Sequence, residues 1–371
     1  MISVSVRKKY QSSLIDINFE TDEPGITAIF GRSGAGKTSL IDMIAGITRP
    51  DQGFIKIDDQ VLFDSAADIS LKPELRNIGY VFQDARLFPH MTVKKNLLFG
   101  WNHRETGLRR IDLEDVVDVL GLDKLLERSP VRLSGGEAQR VQFGRAILSN
   151  PKLLLMDEPL SSLDHQHRQE ILPFIERLRD EFKIPILYVS HAMDEIIRLA
   201  DKLLILENGR VAADGGVEEL TGRLDLRPLT GRYEAGSVIS AVIVEHDRDY
   251  AISHLEFPGG VLRVPLMEGD PGTQVRIRIR ARDVSVSKTA PSDVSELNIF
   301  PAKIVEIASP SANDLPHCDT LIDIGVPLWV RLTRLSIKNL DLKPGDEAFA
   351  LIKGTSVDRQ NLAIRKGQDH A

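Results

Sequence analysis

The sequence has one cysteine, no long apolar run and no excess of basic residues, and each shortage excludes a class of protein. Cys318 cannot form an internal disulfide, which favours a reducing compartment and an ordinary small side chain at that position. No apolar run reaches the length that a membrane-spanning helix needs. With 47 Lys and Arg against 54 Asp and Glu, the net charge is −7, so we expect no nucleic-acid partner. The N-terminus lacks the pattern of a signal peptide, which predicts a cytoplasmic chain.

The length of 371 residues predicts two or three folded units. Over residues 1–232, short aliphatic runs alternate with helical stretches, which indicates an α/β domain with parallel strands. Helical signals at 84–132 predict a helical subdomain inserted into that sheet. Alternating short strands then predict a β-rich connecting segment at 233–289 and a small β-rich domain at 290–358, followed by a tail at 359–371.

Continuous apolar runs mark the strands that we expect to be buried between helices, because such strands lack polar alternation. These runs are Ile26–Phe30, Leu153–Met156 and Ile186–Val189. Chemically active residues follow each run, namely Gly31, the pair Asp157 and Glu158, and the pair Ser190 and His191. In open parallel sheets, ligands gather beyond the carboxyl ends of the strands. We therefore expect these residues to converge on one edge of the sheet.

A phosphate-binding loop follows the first of these strands and precedes a predicted helix, Thr38 to Ala45. The segment fits the pattern G-x-x-x-x-G-K-[ST]. We assign this loop and the residue after it to ATP binding, namely Gly31, Arg32, Ser33, Gly34, Ala35, Gly36, Lys37, Thr38 and Ser39. Its backbone N–H groups would surround a phosphate at the helix N-terminus. Lys37 would bridge phosphates and Thr38 would bind Mg²⁺.

Two carboxylates end the second apolar run, where a structural protein would have little reason to place them. Beside a phosphate loop, Asp157 would hold Mg²⁺ and Glu158 would polarise the attacking water. The simpler reading of Glu158 is a solvated charge at the end of a strand.

Leu133-Ser134-Gly135-Gly136-Glu137 resembles the signature sequence of the ABC ATPases. Ser134 and Glu137 form a capping box at the start of a predicted helix, and the two glycines leave backbone N–H groups uncovered. The resemblance implies that this segment closes on the γ-phosphate bound to the facing subunit of a head-to-tail homodimer, so a monomer should hydrolyse ATP poorly. A plain capped helix explains Ser134 and Glu137 but not Gly135 and Gly136.

Four further positions match the pattern of this family, and their roles are implied by the resemblance. Gln83 would join Mg²⁺ and the attacking water to the helical subdomain. Asp164 would couple the two sites across the dimer, and His191 would contact the γ-phosphate. Tyr10 is the candidate for stacking on adenine, in a segment that is shorter than the usual pattern of the family.

The segment from Phe82 to His90 resembles the importer form of this family, and in particular the molybdate importers. Near the C-terminus, residues 291–357 resemble the small molybdate-binding Mop domain. In related domains, hydroxyls, backbone N–H groups and lysine bind oxyanions between subunits. The candidates here are Thr333, Ser336 and Lys353, for which ordinary surface positions are an equal alternative.

The whole chain therefore resembles the ATP-binding subunit of a molybdate importer. This resemblance implies an α/β P-loop NTPase domain followed by a small β-rich, OB-like Mop domain. It also implies ATP and Mg²⁺ as ligands, with molybdate bound at the C-terminal domain. The implied partners are a second copy, two membrane permease subunits and a periplasmic or extracellular molybdate-binding protein. The implied location is the cytoplasmic face of the inner membrane, held there by the permease.

Two alternatives stay open from the sequence. The same ATPase could serve another solute, such as sulfate, a sugar or a polyamine, with the last domain acting only as a dimer brace. A protein of another class, either an ABC ATPase of DNA repair or translation or a molybdate-storing protein, is disfavoured by the importer-like segment and the complete hydrolytic set.

Overall fold

The structure is a computed structural model that divides into two compact units, Met1–Gly216 and Val217–Ala371. This division lies earlier in the chain than the boundary predicted near residue 232. The residues that the structure describes are 1–11, 13–21, 25–101, 111–223, 226, 236–308, 316–354 and 362–365. No helix within these residues is both long enough and apolar enough to cross a membrane.

The described residues of the first unit form eleven strands and six α-helices. The strands in chain order are β1 (Ile2–Lys9), β2 (Leu14–Thr21), β3 (Ile26–Phe30), β4 (Gln52–Ile57), β5 (Gln60–Asp64), β6 (Ile69–Ser70), β7 (Ile78–Val81), β8 (Leu153–Asp157), β9 (Ile186–Ser190), β10 (Lys202–Glu207) and β11 (Arg210–Gly216). The helices are α1 (Lys37–Ala45), α2 (Val93–Leu97), α3 (Leu113–Leu120), α4 (Gly135–Leu148), α5 (His165–Phe182) and α6 (Met193–Leu199).

The central sheet of the first unit has the strand order β11-β10-β3-β9-β8-β7. Its neighbours pair in parallel except for β11, which pairs antiparallel with β10. Every residue of β3, β8 and β9 is buried, which confirms the three predicted strands. Because these strands are parallel, their carboxyl ends and the residues that follow them meet at one edge.

A second, antiparallel sheet in this unit has the order β2-β1-β4-β5-β6. Its inward residues share one hydrophobic core with α1 and with the central sheet. On β2 the buried positions alternate with exposed ones, as expected for a strand with one face in the core, whereas β1 begins with three buried residues, Ile2, Ser3 and Val4. This packing holds the hairpin that bears Tyr10 to the same body as the phosphate loop.

The segment between β7 and β8 is helical in its described residues, and that it forms a separate subdomain stays a prediction. It contains α2, α3 and α4, with single-turn helices at Asp123–Leu125 and Pro130–Arg132. The apolar residues of α3 lie on one face and are buried, and α3 ends where Gly121 takes a left-handed backbone conformation.

In the second unit, the part of the chain that the structure describes forms ten strands and two short α-helices. The strands are β12 (Gly236–Asp247), β13 (Ile252–Phe257), β14 (Gly260–Pro265), β15 (Gln274–Arg280), β16 (Val284–Ser287), β17 (Asn298–Ile307), β18 (His317–Asp323), β19 (Pro327–Thr333), β20 (Glu347–Ile352) and β21 (Leu362–Arg365), and the helices are α7 (Val217–Thr221) and α8 (Arg334–Asn339).

These strands form two antiparallel sheets with the orders β14-β13-β12-β15-β21 and β16-β20-β17-β18-β19. Buried residues of both sheets, from Ile239 to Ile352, belong to one hydrophobic core. The segments predicted at 233–289 and 290–358 therefore share a core. The sequence placed residues 362–365 in a tail, whereas the structure pairs them with β15.

Candidate nucleotide site

The phosphate loop joins the buried strand β3 to α1, as the sequence predicted. Gly34 and Gly36 have backbone φ angles of 81° and 101°, a region that glycine adopts without steric strain. A Cβ atom at Gly31 would lie 2.5 Å from the Leu206 backbone oxygen, so the loop needs glycine there for space. No side chain caps the N-terminus of α1, which leaves its N–H groups available to an anion.

Lys37 lies inside this loop and is only 6% exposed. Its ammonium donates to the backbone oxygens of Gly31 at 2.9 Å and Arg32 at 3.3 Å. It also lies 3.6 Å from Glu158 Oε1. The positive charge is thus held where the loop backbone, the end of β8 and the start of α1 meet, which suits a polyphosphate ligand.

Asp157 and Thr38 form an oxygen pair of the kind that Mg²⁺ prefers. Thr38 Oγ1 donates to Asp157 Oδ1 at 3.3 Å. Burial raises the pKa of Asp157 to about 6; nearby Glu158 and Asp42 raise it as well, whereas the Thr38 hydrogen bond and Lys37 oppose the shift. A divalent cation would supply the positive charge that this crowded carboxylate lacks, so these residues fit Mg²⁺.

The described residues contain no cluster of three or more His, Cys, Asp and Glu side chains able to hold a metal. A cation at Thr38 and Asp157 would thus need further oxygens, from water or from a phosphate.

Glu158 lies one residue beyond β8 and has a left-handed backbone, with φ of 44°. This unusual conformation for a non-glycine residue is fixed by two backbone hydrogen bonds, from Glu158 N to Val189 O and from Ser161 N to Glu158 O. The side chain then lies 3.1 Å from His191 Nδ1 through Oε2. The structure therefore brings Lys37, Glu158 and His191 into one cluster.

Gln83 lies two residues beyond the carboxyl end of β7, on the strand edge next to β8. Its side chain is exposed. The preceding residue, Phe82, contacts helix α4 through its backbone oxygen, which accepts from Gln142 Nε2 at 3.3 Å. Gln83 is thus at the junction between the sheet and the helical subdomain, where the sequence placed it.

The signature segment forms the predicted capping box at the start of α4. Glu137 N donates to Ser134 Oγ at 3.2 Å, and Ser134 N donates to Glu137 Oε2 at 2.8 Å. Gly135 and Gly136 begin the helix, and Gly135 is exposed. A Cβ atom on Gly135 would lie 3.1 Å from the methyl group of Leu163, one residue before Asp164. In one chain, the signature segment and the Asp164 turn are therefore neighbours.

Asp164 caps α5 and is exposed. Its carboxylate accepts from His167 N at 3.0 Å and lies 2.8 Å from His167 Nδ1. These contacts, the backbone one first, hold the pKa of Asp164 below its usual range, and the carboxylate raises the pKa of His167. The structure thus assigns Asp164 a local capping contact, and its predicted role across a dimer stays a prediction.

Tyr10 is half-buried and lies at the turn between β1 and β2. It lines an open surface cavity of about 550 Å³ together with residues of the same sheet. Ile15 on β2 lies against the phosphate loop, because a Cβ atom at Gly36 would be 3.4 Å from Ile15 Cδ1. The hairpin that carries Tyr10 is thus fixed beside the loop.

Two residues near the site were missed from the sequence, Asp42 and Tyr80. Asp42 lies one helical turn after Thr38 and accepts from the Tyr80 hydroxyl at 2.9 Å. Burial raises the pKa of Tyr80, and the charges of Asp157 and Asp42 raise it further. The spacing of four residues on a predicted helix would have placed Asp42 on the Thr38 face.

The three oxyanion candidates do not come together in one chain. Thr333 ends β19 opposite His317, whereas Lys353 follows the end of β20, where Ile352 pairs with Asn298. The register puts these two residues at opposite ends of the strands in the same sheet. Thr333 Oγ1 already caps α8 by accepting from Ser336 N at 3.0 Å, and the two hydroxyls lie 2.8 Å apart.

A family profile described as ABC transporter matches residues 14–161, and one described as TOBE domain matches residues 295–358. Molybdenum import ATP-binding protein ModC of Paramagnetospirillum magneticum is 48% identical over 364 residues, which cover 98% of this chain and 99% of that protein. The protein of the same name from Rhodospirillum rubrum is 46% identical over 368 residues, which cover 98% of both chains.

Among solved structures, cbiO1 from Clostridium perfringens, part of the ABC transporter complex cbiONQ, matches with a TM-score of 0.52 at 26% identity. The match covers 61% of this chain and 92% of that chain. Together with the sheet order and the phosphate loop, it confirms the predicted P-loop NTPase fold. Given the identity to these relatives over nearly its whole length, the chain belongs to the ABC transporter family of ATPases, in the group that the two molybdenum import ATP-binding proteins represent.

Proposed function

We propose that this chain is the ATP-hydrolysing subunit of a molybdate importer, in which two copies sandwich two ATP molecules and drive separate membrane permease subunits. The observation that carries the proposal is the cluster of Lys37, Glu158 and His191 beside the phosphate loop. Three loops that follow different strands contribute one side chain each, and the distances of 3.6 Å and 3.1 Å place Glu158 between two cationic or hydrogen-bonding groups.

Each residue of this cluster has a distinct role in the proposed reaction. The loop backbone and Lys37 bind and orient the phosphates of ATP. Glu158 orients the attacking water and accepts its proton, while His191 holds the Glu158 carboxylate from one side and contacts the γ-phosphate. Glu158 has a left-handed backbone, and its carboxylate lies 3.6 Å from the Lys37 ammonium.

Thr38, Asp157 and Gln83 would hold Mg²⁺, which neutralises phosphate charge when bound. The facing subunit would supply Ser134, Gly135 and the rest of its signature segment to the γ-phosphate. The capping box uses the N–H groups of Ser134 and Glu137. Those of Gly135 and Gly136 take no part in it and suit an anion, since the positive end of the helix dipole lies there.

The remaining roles in this proposal concern adenine and the partner copy. Tyr10 would stack on adenine, and Asp164 would couple the two sites across the dimer. The proposed location is the cytoplasmic face of the inner membrane, reached through two permease subunits, with an extracytoplasmic molybdate-binding protein delivering the solute.

Transport of molybdate is tested with the complex rather than the isolated chain. The chain is co-expressed with a candidate permease, purified as a complex and placed in vesicles with ATP on the side of this subunit. ATP-dependent molybdate movement that sulfate does not compete for supports the proposal. If ATP hydrolysis instead moves sulfate, a sugar or a polyamine, the assignment as an ATPase stands and the assignment of molybdate as the solute is overturned.

For the second unit, we propose oxyanion binding between two copies. Because Thr333 and Lys353 lie at opposite ends of the strands in one sheet, a site that uses both needs them from different chains. Calorimetric titration with molybdate, with sulfate as control, should give saturable heat only for the dimer. The same separation favours a second candidate role, in which this unit only braces the dimer. No binding heat, or equal heats for molybdate and sulfate, would support that role.

A further inference from the structure

Phe82, the residue before Gln83, is held by three side chains from different parts of the first unit. Its ring stacks on Tyr80 with centroids 4.2 Å apart. The Arg86 guanidinium lies 4.1 Å from the centroid of the Phe82 ring. Its backbone oxygen accepts a hydrogen bond from Gln142 Nε2 at 3.3 Å. The residue that precedes Gln83 is therefore fixed in both ring and backbone.

Of these three contacts, the one from Gln142 is made by the helix that begins with the signature segment. Gln142 is fully buried on α4. A backbone carbonyl can only accept, so the amide atom that faces Phe82 O must be the nitrogen. The Gln142 side-chain oxygen has no hydrogen-bond partner among the described residues, nor has the buried Nε2 of Gln139 one turn earlier.

Buried amide groups without partners are rare in folded proteins, because each loses its bonds to water without replacement. An apolar side chain of similar size at Gln142 would avoid that loss. Among the described residues, the hydrogen bond to Phe82 O is the contact of the Gln142 side chain that an apolar side chain could not make. This contact, rather than packing, therefore distinguishes glutamine at this position.

A second contact from the same helix face supports this reading. Gln142 and Arg145 are three residues apart on α4, so their side chains share a face. The Arg145 guanidinium lies 5.2 Å from the centroid of the Phe88 ring. Helix α4 thus holds the segment 82–88 at both ends, while β7 ends at Val81, before the segment begins.

We propose that Gln142 is a positioning residue that fastens the Gln83 segment to the signature helix of the same chain, so that Gln83 moves with α4. The inference rests on the proposed role of Gln83 in hydrolysis. When α4 shifts against a facing subunit, the bond to Phe82 O carries that shift to Gln83. Without the bond, Gln83 is no longer held in register with the signature segment.

The test uses Gln142→Met in the full chain, because methionine keeps the length and volume of glutamine but cannot donate to Phe82 O. We expect kcat for Mg-ATP hydrolysis to fall about fivefold, the scale of one lost hydrogen bond in a transition state. The Kd for ATP, measured with a fluorescent analogue, and the thermal midpoint should stay unchanged. Gln142→Leu is the second variant should Gln142→Met fold poorly.

The matched control is Gln139→Met, which removes another buried amide from the same helix face but leaves the Phe82 contact intact. Its kcat should equal that of the unchanged chain. If Gln139→Met loses as much activity as Gln142→Met, general disturbance of α4 explains both and the inference is overturned.

A double-mutant cycle with Gln83→Ala separates this inference from the proposed function. If Gln142 acts through Gln83, adding Gln142→Met to Gln83→Ala should lower kcat no further. An additive loss overturns the inference while leaving the role of Gln83 intact. If Gln83→Ala alone leaves kcat unchanged, the proposed role of Gln83 fails instead, and the inference fails with it.

Discussion

Lys37 Nζ lies 3.6 Å from Glu158 Oε1, although the two residues follow different strands of the central sheet. Lys37 is almost fully buried, so this ammonium is poorly hydrated and the carboxylate offsets its charge. His191 Nδ1 approaches the other oxygen of Glu158 at 3.1 Å. The carboxylate is therefore oriented by contacts on both of its oxygens, which is what a group that directs a water molecule requires.

The first prediction concerns Glu158→Gln, which keeps the side-chain volume and removes the proton acceptor. We expect kcat for ATP hydrolysis to fall about 100-fold or more, the usual contribution of a general base. ATP binding should persist, because the loop backbone and Lys37 are unchanged. Steady-state hydrolysis and equilibrium binding of ATP, measured on the same preparation, check both parts.

Glu181→Gln, an exposed glutamate on α5, is the control for this change and should hydrolyse ATP at the unchanged rate. A Glu158→Gln variant that keeps a third or more of the activity would contradict the role of Glu158. It would favour the simpler reading of this residue as a charge at the end of a strand.

The second prediction concerns the pH dependence of stability that arises from Asp157. Its pKa in the folded chain, about 6, lies above the ordinary value of 3.8. A raised pKa stabilises the folded state at pH below about 3.8, and this contribution is lost as the pH rises through about 6. Near pH 8, without metal, Asp157→Asn should therefore raise the free energy of unfolding by about 2–3 kcal/mol.

Urea unfolding in EDTA at pH 5 and pH 8 checks this expectation. The increase in the free energy of unfolding caused by Asp157→Asn should be smaller at pH 5 than at pH 8. Adding Mg-ATP should stabilise the unchanged chain far more than the variant. Asp59→Asn, which changes an exposed aspartate of the same unit, should do neither. A gain that is equal at both pH values would exclude Asp157 ionisation as the cause.

The sequence predicted the site where chemistry follows a local pattern. Runs such as Ile26–Phe30 identify buried parallel strands because they are almost continuously apolar and lack the polar alternation of a solvent-facing strand. The ends of those runs then place Lys37 and Glu158 at one edge by topology alone. Their close approach needs the left-handed backbone of Glu158, which depends on hydrogen bonds to other segments and has no signal in the sequence.

Long-range strand pairing explains what the sequence did not predict in the second unit. Alternation marks a strand but does not say which strand lies beside it. The opposite placement of Thr333 and Lys353 follows from the register of the β16–β20 sheet, and the strand at residues 362–365 exists only through pairing with β15. Both depend on contacts far apart in the chain.

The third prediction concerns Thr333, which caps α8 in the structure. Thr333→Ala should lower the free energy of unfolding of the second unit by about 1 kcal/mol, and Thr333→Ser should not, because serine keeps the acceptor for Ser336 N. Chemical unfolding of the full chain in a Trp101→Phe background, in which Trp329 supplies the tryptophan fluorescence, checks this. Equal stability of the two variants would contradict the capping role.

The capping role affects how anion binding is tested. A loss of molybdate binding in Thr333→Ala could arise from the frayed helix, so Thr333→Ser and Lys353→Gln are the informative variants. Lys353 is exposed and lies outside α8, so its replacement leaves the cap intact. If the dimer binds molybdate through Lys353, Lys353→Gln should weaken binding about tenfold without changing stability; unchanged binding would exclude Lys353 as a ligand.

The last prediction separates the signature segment as an anion site from a plain capped helix. Gly135 is exposed at the first position of α4, where the helix dipole stabilises a carboxylate. The added Cβ atom would lie 3.1 Å from a Leu163 methyl group in Gly135→Asp and in Gly135→Asn alike. Both variants therefore carry the same steric cost, and the thermal midpoint of Gly135→Asp should equal or slightly exceed that of Gly135→Asn. If the γ-phosphate of the facing subunit lies against this backbone, the new charge repels it, and hydrolysis should fall at least about tenfold. Gly135→Asn has the same size without the charge and should retain most of the activity, since its side chain still permits the helix start. Parallel measurements of thermal midpoint and ATPase rate decide the matter: a Gly135→Asp variant that is as active as Gly135→Asn would leave α4 with a structural cap and no role at the phosphate.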